Sequence, residues 1–187
     1  GKYYLQAGVN PISGDAVREI CADNNNNLWI GTEDAGINQL NLATGKFTNY
    51  TATGKKGAIS YPNVHGLLAF NHQLFIGPFL QGLEIMDIRT GKVTERFKLI
   101  GDKNETPGDF VISVYLTRDS ALYVGTAYHA SGLFLFDEKR KTFKRIKEIP
   151  LNSYVFDILE DSKGNIWTGS VTQGAYYYHP KTGKHGN

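Results

Sequence analysis

Apolar and polar positions alternate along this chain in short blocks, and the blocks recur. Each block opens with two apolar residues three apart: Val17/Ile20, Val64/Leu67, Val111/Val114 and Val155/Ile158. A turn follows, DNNNN in the first block and DSKGN in the last. Next comes an apolar stretch holding an aromatic residue, Trp29, Phe75, Tyr123 or Trp167. Two residues later stands a glycine, Gly31, Gly77, Gly125 or Gly169. After a short loop, a second glycine (Gly36, Gly82, Gly132 or Gly174) opens a third stretch. Its fourth residue is Leu40, Met86, Phe136 or Tyr178, and a polar residue comes next. That step is the period-two pattern of a strand with unlike faces. A turn such as ATGK and a last stretch such as FTNYT close the block. Every stretch has strand length and turn residues at its ends, and helical periodicity is sustained nowhere. The pattern predicts an all-β chain.

The four aromatics recur at steps of 46, 48 and 44 residues. A fixed period of this size signals a repeat architecture. The repeats are expected at about 17–51, 64–99, 111–147 and 155–184, each a four-stranded antiparallel unit. Pro78 has no N–H for a ladder and is expected to end its strand. The opening GKYYLQAG matches GKFTNYTATG, the last strand of the first repeat. Residues 2–6 therefore read as a fourth strand without its own unit. The last repeat stops at TGKHGN, where its fourth strand is due. Two arrangements satisfy both ends. Residues 2–6 complete the last unit and seal a ring, which removes two exposed edges, or they belong to an adjacent unit of a longer ring.

V-x-x-I, a polar turn, NLWIGT, a loop, Gly, a strand and TGKF together resemble the two-component regulator propeller repeat. The first copy (26–50) and the fourth (161–184) match best; the second and third carry Phe75 and Tyr123 for Trp, and Pro78 for Thr. The resemblance spans nearly the whole chain. It implies a β-propeller of four-stranded blades, and the extracytoplasmic, periplasmic sensor region of a membrane-anchored hybrid two-component histidine kinase that responds to glycan breakdown products. Family rings usually have seven blades, roughly 315 residues at this repeat length. With 187 residues, the expectation is a propeller fragment first, a closed four-bladed ring second, and two chains sharing a ring third.

Composition narrows the function. The net charge is +2, with Lys and Arg scattered among Asp and Glu, and a nucleic-acid surface needs clustered cations. No apolar run approaches the roughly 18–20 residues of a membrane helix, so no membrane contact by this segment is expected. Cys21, the single cysteine, stands in an apolar strand and reads as a buried structural thiol.

The chemistry-bearing motifs are sparse. The five histidines lack metal-type spacing, the polar turns lack the long Glu-terminated loop of a calcium site, and no nucleophile motif occurs. No metal, cofactor or catalytic residue is expected. EDSKGNIW resembles the Asp-box of sialidases, but its aspartate lies six residues before the Trp rather than five, so that reading is set aside. The aromatic series Trp29, Phe75, Tyr123 and Trp167 reads as blade packing, with the glycines as part of that frame.

Specificity is expected where the copies differ. The loops joining strands two and three (EDA, PFLQ, TAYHAS, VTQ) share one rim with the loops joining successive blades. Rigid scaffolds carry function on such loops. There lie Tyr61, Phe79, Gln81, Asp109, Phe110, Tyr128 and His129. Aromatic rings beside amides and carboxylates suit an oligosaccharide, whose C–H faces stack and whose hydroxyls need partners. The leading reading is a non-enzymatic ligand-sensing module. Alternatives are a propeller enzyme (lyase or glycoside-acting) and a protein–protein or homodimerisation scaffold.

Overall fold

The computed structural model describes residues 11–99, 110–128, 130–137, 139, 141–171 and 173–187. Residues 2–6, expected to supply a strand, lie outside them, as do Asp109 and His129. Among the described residues there is no helix. The strands form four antiparallel sheets of four, each in sequence order. The first holds β1 (Val17–Ala22), β2 (Asn27–Thr32), β3 (Ile37–Asn41) and β4 (Phe47–Tyr50). The second holds β5 (Val64–Phe70), β6 (Gln73–Pro78), β7 (Leu83–Asp87) and β8 (Lys92–Phe97). The third holds β9 (Phe110–Leu116), β10 (Leu122–Ala127), β11 (Leu133–Asp137) and β12 (Thr142–Arg145). The fourth holds β13 (Val155–Glu160), β14 (Ile166–Ser170), β15 (Gly174–Tyr178) and β16 (His185–Gly186).

The last sheet corrects the sequence reading. Its fourth strand is present as β16, with Tyr177 opposite Gly186 and Tyr178 opposite His185. TGKHGN thus turns back and begins to pair. β6 ends at Pro78, opposite Val64.

The chain forms two compact units. One comprises the described residues up to Phe79 together with Glu84–Arg96; the other comprises Leu80–Leu83 and the described residues from Phe97 onward. The first unit is built around Trp29, Ile37, Ile59, Val64, Leu67 and Ile76 among others. The second is built around Tyr123, Leu133, Ile146, Ile149, Val155 and Ile158. Burial differs between strands: all six residues of β10 are buried, whereas β1 is exposed or half-buried throughout, although the first strands β5 and β9 open on buried residues. A second strand lies between two others and packs on both faces, which is why its residues read as a continuous apolar run.

Both repeated glycines of the motif have a structural reason. Gly36 and Gly82 have φ of +80° and +79°, a region costly for residues with a Cβ. A Cβ at Gly36 would also collide with the carbonyl oxygen of Tyr50, and one at Gly82 with that of Phe97. In the first two sheets the second glycine thus lets the third strand start against the fourth. The first glycine serves packing between sheets, taken up below.

The polar turns are carboxylate-centred. Asp23 Oδ1 accepts from the backbone N–H groups of Asn25 (2.8 Å) and Asn27 (3.1 Å). Asp23 Oδ2 accepts from Asn27 Nδ2 (3.0 Å) and from Trp29 Nε1 (2.9 Å). Asp161 repeats the pattern with Lys163, Asn165 and Trp167. The six-residue Asp-to-Trp spacing that spoils the Asp-box is the spacing this turn uses.

Candidate functional site

Each first strand carries one extra residue at the same place. The register slips between Val17 and Glu19, between Val64 and Gly66, and between Val155 and Asp157. In β9 it slips where Val111 and Ser113 face the Gly125–Thr126 step. The extra residues are Arg18, His65, Ile112 and Phe156. A bulge bends its strand and re-aims a side chain. Valine precedes all four bulges, whereas the bulged residues are chemically unlike. The device is structural; what it presents is individual to each sheet.

In the first unit the bulges bring Arg18 and His65 to Glu33, the first residue of the EDAG loop. Arg18 Nε donates to Glu33 Oε2, and His65 Nε2 lies 3.6 Å from the same oxygen. Asn63 Nδ2 donates to Glu33 Oε1 at 2.8 Å. Asn63 Oδ1 is buried without a hydrogen-bond partner, as is Nδ2 of Asn38, whose own Oδ1 accepts from Ser13 N–H at 2.9 Å. The Arg18 hydrogen bond holds the Glu33 carboxyl below its usual range, against burial. Burial pushes His65 below its usual value, against the pull of Glu33. Near neutral pH the cluster holds Arg⁺, Glu⁻ and a neutral imidazole. Its formal charges cancel while its hydrogen-bonding groups remain.

An aromatic pair stands beside that cluster. The Tyr61 and Phe79 rings lie 6.1 Å apart at 40°. The link is the segment between them. Pro62 O accepts from Gly36 N–H (2.8 Å), Asn63 O accepts from Phe79 N–H (2.9 Å), and the Asn63 side chain reaches Glu33. Tyr61 is 43% exposed, which leaves ring face open to solvent. Arg18, Glu33, Asn63 and His65 escaped the sequence reading. Glu33 sits in a loop already singled out, but only the bulge register shows which face Arg18 and His65 take.

The second unit gathers a different set. The Phe110 and Tyr128 rings stack 5.3 Å apart at 19°, and Tyr154 meets Tyr128 edge-on at 5.9 Å. Tyr128 has φ +66° and is 48% exposed, a backbone state rare for a bulky residue and associated with functional loops. Tyr154 was missed because it falls one residue beyond the IPLNS loop. Gln81 is half-buried on the turn before β7, and among the described residues no hydrogen bond joins it to this trio.

The residues of the packing series differ in exposure. Trp29, Phe75 and Tyr123 are buried. Trp167 is half-buried, covered in part by Tyr177 at 5.1 Å. Cys21 is half-buried against the first core, and burial pushes its thiol up to about 12.

Residues 11–34 and 149–172 match the two component regulator propeller family. Those two segments are similar to two-component regulator propeller repeats. The matched copies are the first and the fourth, those with Trp and the Asp-centred turn. Histidine kinase P4 of Formosa agariphila is 27% identical over 173 residues, covering 85% of this chain and 12% of that protein. The extracellular domain of the hybrid two component system BT3049 from B. thetaiotaomicron superposes with TM-score 0.78 at 24% identity, over 98% of this chain and 25% of that one. The WD40 β-propeller domain of Doa1 superposes with TM-score 0.64 at 15% identity, over 85% of this chain and 49% of that one. The fold is that of β-propeller blades. The chain spans well under two thirds of each of these relatives.

Proposed function

We propose that this chain is a non-enzymatic ligand-sensing part of the periplasmic region of a hybrid two-component histidine kinase, and that its ligands derive from glycans. The regulator propeller repeats and the likeness to an extracellular domain of such a system support the sensor assignment. The observation that carries the ligand class is the rim of the first unit. An aromatic pair, the exposed Tyr61 and the half-buried Phe79, adjoins a charge-balanced cluster of Arg18, Glu33, Asn63 and His65. Rings give a sugar a stacking platform, and the cluster offers both donors and acceptors to hydroxyls without net charge. The arrangement therefore favours neutral sugars over ionic ones at this position.

The test is an amide-shift titration with neutral plant and host oligosaccharides, read at Tyr61, Asn63 and Phe79. Saturable shifts that Tyr61→Ala and Phe79→Ala remove are expected. A full panel that leaves these amides unmoved would eliminate the site. Turnover of any glycoside or lactone by the purified chain would replace this reading with an enzymatic one.

A further inference from the structure

A second feature of the first unit has different chemistry. A cavity of about 280 Å³ lies along β4, the connection that follows it and the turn into β8. Three cationic side chains line it, Lys55, Lys56 and Lys92, together with Thr51, Thr53 and Tyr50. Among the described residues no Asp or Glu lines it. Among the described residues none of the three lysines enters an ion pair. The larger cavity of the second unit, about 450 Å³, differs: Arg118, Lys163 and Lys181 share it with Asp119 and Glu160.

The connection that brings the lysines together is firmly held. Gly57 O accepts from Val93 N–H at 2.8 Å. The Arg96 guanidinium donates to Ala58 O and, through Nε, to the fully buried Glu84 carboxylate at 2.7 Å. That carboxylate also accepts from Ser60 N–H at 3.2 Å, and Ile59 is buried in the core. Segments of this length without secondary structure are uncommon in compact folds and are usually functional. This one is held by these bonds, and Ala58 N–H donates to Lys55 O at 3.1 Å, so the Lys55 and Lys56 backbones are positioned in advance. Bringing like charges together without a counter-charge is unfavourable in the folded chain alone. Among the described residues no ion pair of these lysines repays it.

We propose that this cavity binds a doubly charged tetrahedral oxyanion, a sulfate or phosphate group. Three ammonium groups more than offset its two charges. Thr53 Oγ1 accepts from Lys55 N–H at 3.4 Å, which leaves the hydroxyl proton to donate. The Tyr50 hydroxyl donates to Gln39 Oε1 at 3.1 Å, so it shapes the wall rather than holding the anion. At about 280 Å³ the cavity falls below the ~300–1,000 Å³ typical of drug-sized ligand sites. The occupant is therefore the ion itself or one small ring bearing the group, not an oligosaccharide.

The experiment is an amide-shift titration of the whole chain with inorganic sulfate, inorganic phosphate, galactose 6-sulfate, galactose and chloride, at constant ionic strength. Saturable movement of residues 53–58 and of Lys92 is expected with the first three and not with galactose or chloride. Lys56→Gln and Lys92→Gln each weaken binding about tenfold, the scale of one charge-assisted hydrogen bond, and leave the melting curve unchanged. Galactose 6-sulfate binding tighter than sulfate identifies a sugar-borne group; equal affinity identifies the free ion. Non-saturating shifts that chloride reproduces, or affinities indifferent to both variants, overturn the site. Neutral oligosaccharides still move Tyr61 and Phe79 in the Lys variants if the rim reading holds, so the two proposals fail separately.

Discussion

Gly31 of β2 lies against Val64 of β5: a Cβ placed on Gly31 would stand 3.1 Å from both Cγ1 and the carbonyl oxygen of Val64. The second unit repeats the contact more tightly, with Val155 O 2.5 Å and Val155 Cγ1 2.6 Å from a Cβ on Gly125. Ser113 Oγ donates to that same Val155 carbonyl at 2.8 Å. In these two pairs the first glycine of the motif and the first valine of the next sheet are the two sides of one contact. At Gly169 the nearest atom is Asp157 Cβ at 3.8 Å, an ordinary van der Waals distance. Gly125→Ala is therefore expected to destabilise most, by about 1–3 kcal/mol or more as in overpacked cores. Gly31→Ala follows, and Gly169→Ala is neutral or slightly stabilising through the unfolded chain. Urea denaturation of the three variants ranks them, and equal midpoints would refute the contact.

The Asp-centred turn makes its own prediction. Asp23 accepts four different N–H groups from three residues, the Trp29 indole among them. Asp23→Ala frees them all, and Trp29→Phe removes the indole bond together with part of a buried ring, a packing loss that the double-mutant cycle subtracts. The single bond, made to an ionised carboxylate, is expected to contribute about 1.5–3 kcal/mol. A double-mutant cycle with coupling near zero would show that ring packing alone orders this turn.

Acid should weaken the fold in a defined order. Hydrogen bonds from Trp167 and Asn165 hold the Asp161 carboxyl well below its ordinary 3.8. Burial opposes the shift at Asp23, but the bonds from Asn27 and Trp29 outweigh it. The Arg118 and Arg18 hydrogen bonds lower Glu160 and Glu33 from 4.5. A depressed folded pKa means that the unfolded chain takes up protons first as pH falls. The stability from these carboxylates is complete above their ordinary values and drains away as pH drops through the folded ones. His65, lowered from 6.5 by burial, adds a loss that begins nearer neutrality. Melting temperatures should decline gently below pH 6.5 and steeply below about 4.5. His65→Gln should remove the gentle phase, and its persistence in that variant would assign it elsewhere.

The two tryptophans should respond differently to truncation. Trp29 is fully buried, with Tyr50 5.5 Å away. Trp29→Ala is expected to cost about 3–5 kcal/mol, the range for large aromatic deletions in a core. Trp167, half-exposed, should cost markedly less. Matching losses in chemical denaturation would mean that solution burial of Trp167 exceeds that seen here.

The strand plan was legible in the residues because its signals are local. Turn residues, period-two steps and repeated glycines need only neighbours along the chain to act, and they set the four blades of this all-β chain in order. The rim was also legible as a place, since loops that differ between copies are freed from the packing that makes the copies alike. Its membership was not. Tyr61 and Phe79 were named from the sequence, but Arg18 and His65 reach Glu33 only because a bulge shifts each first strand by one residue, and such a slip changes the face a side chain takes. The six-residue Asp–Trp spacing looked like a failed motif until the turn's hydrogen bonds gave it a role. Lys55, Lys56 and Lys92 looked scattered because 36 residues of sequence separate the last two. What the sequence determined alone was which segments become strands and which loops vary. Which distant side chains share a surface was decided by backbone register and sheet-to-sheet contact, because those interactions join residues that no local pattern links.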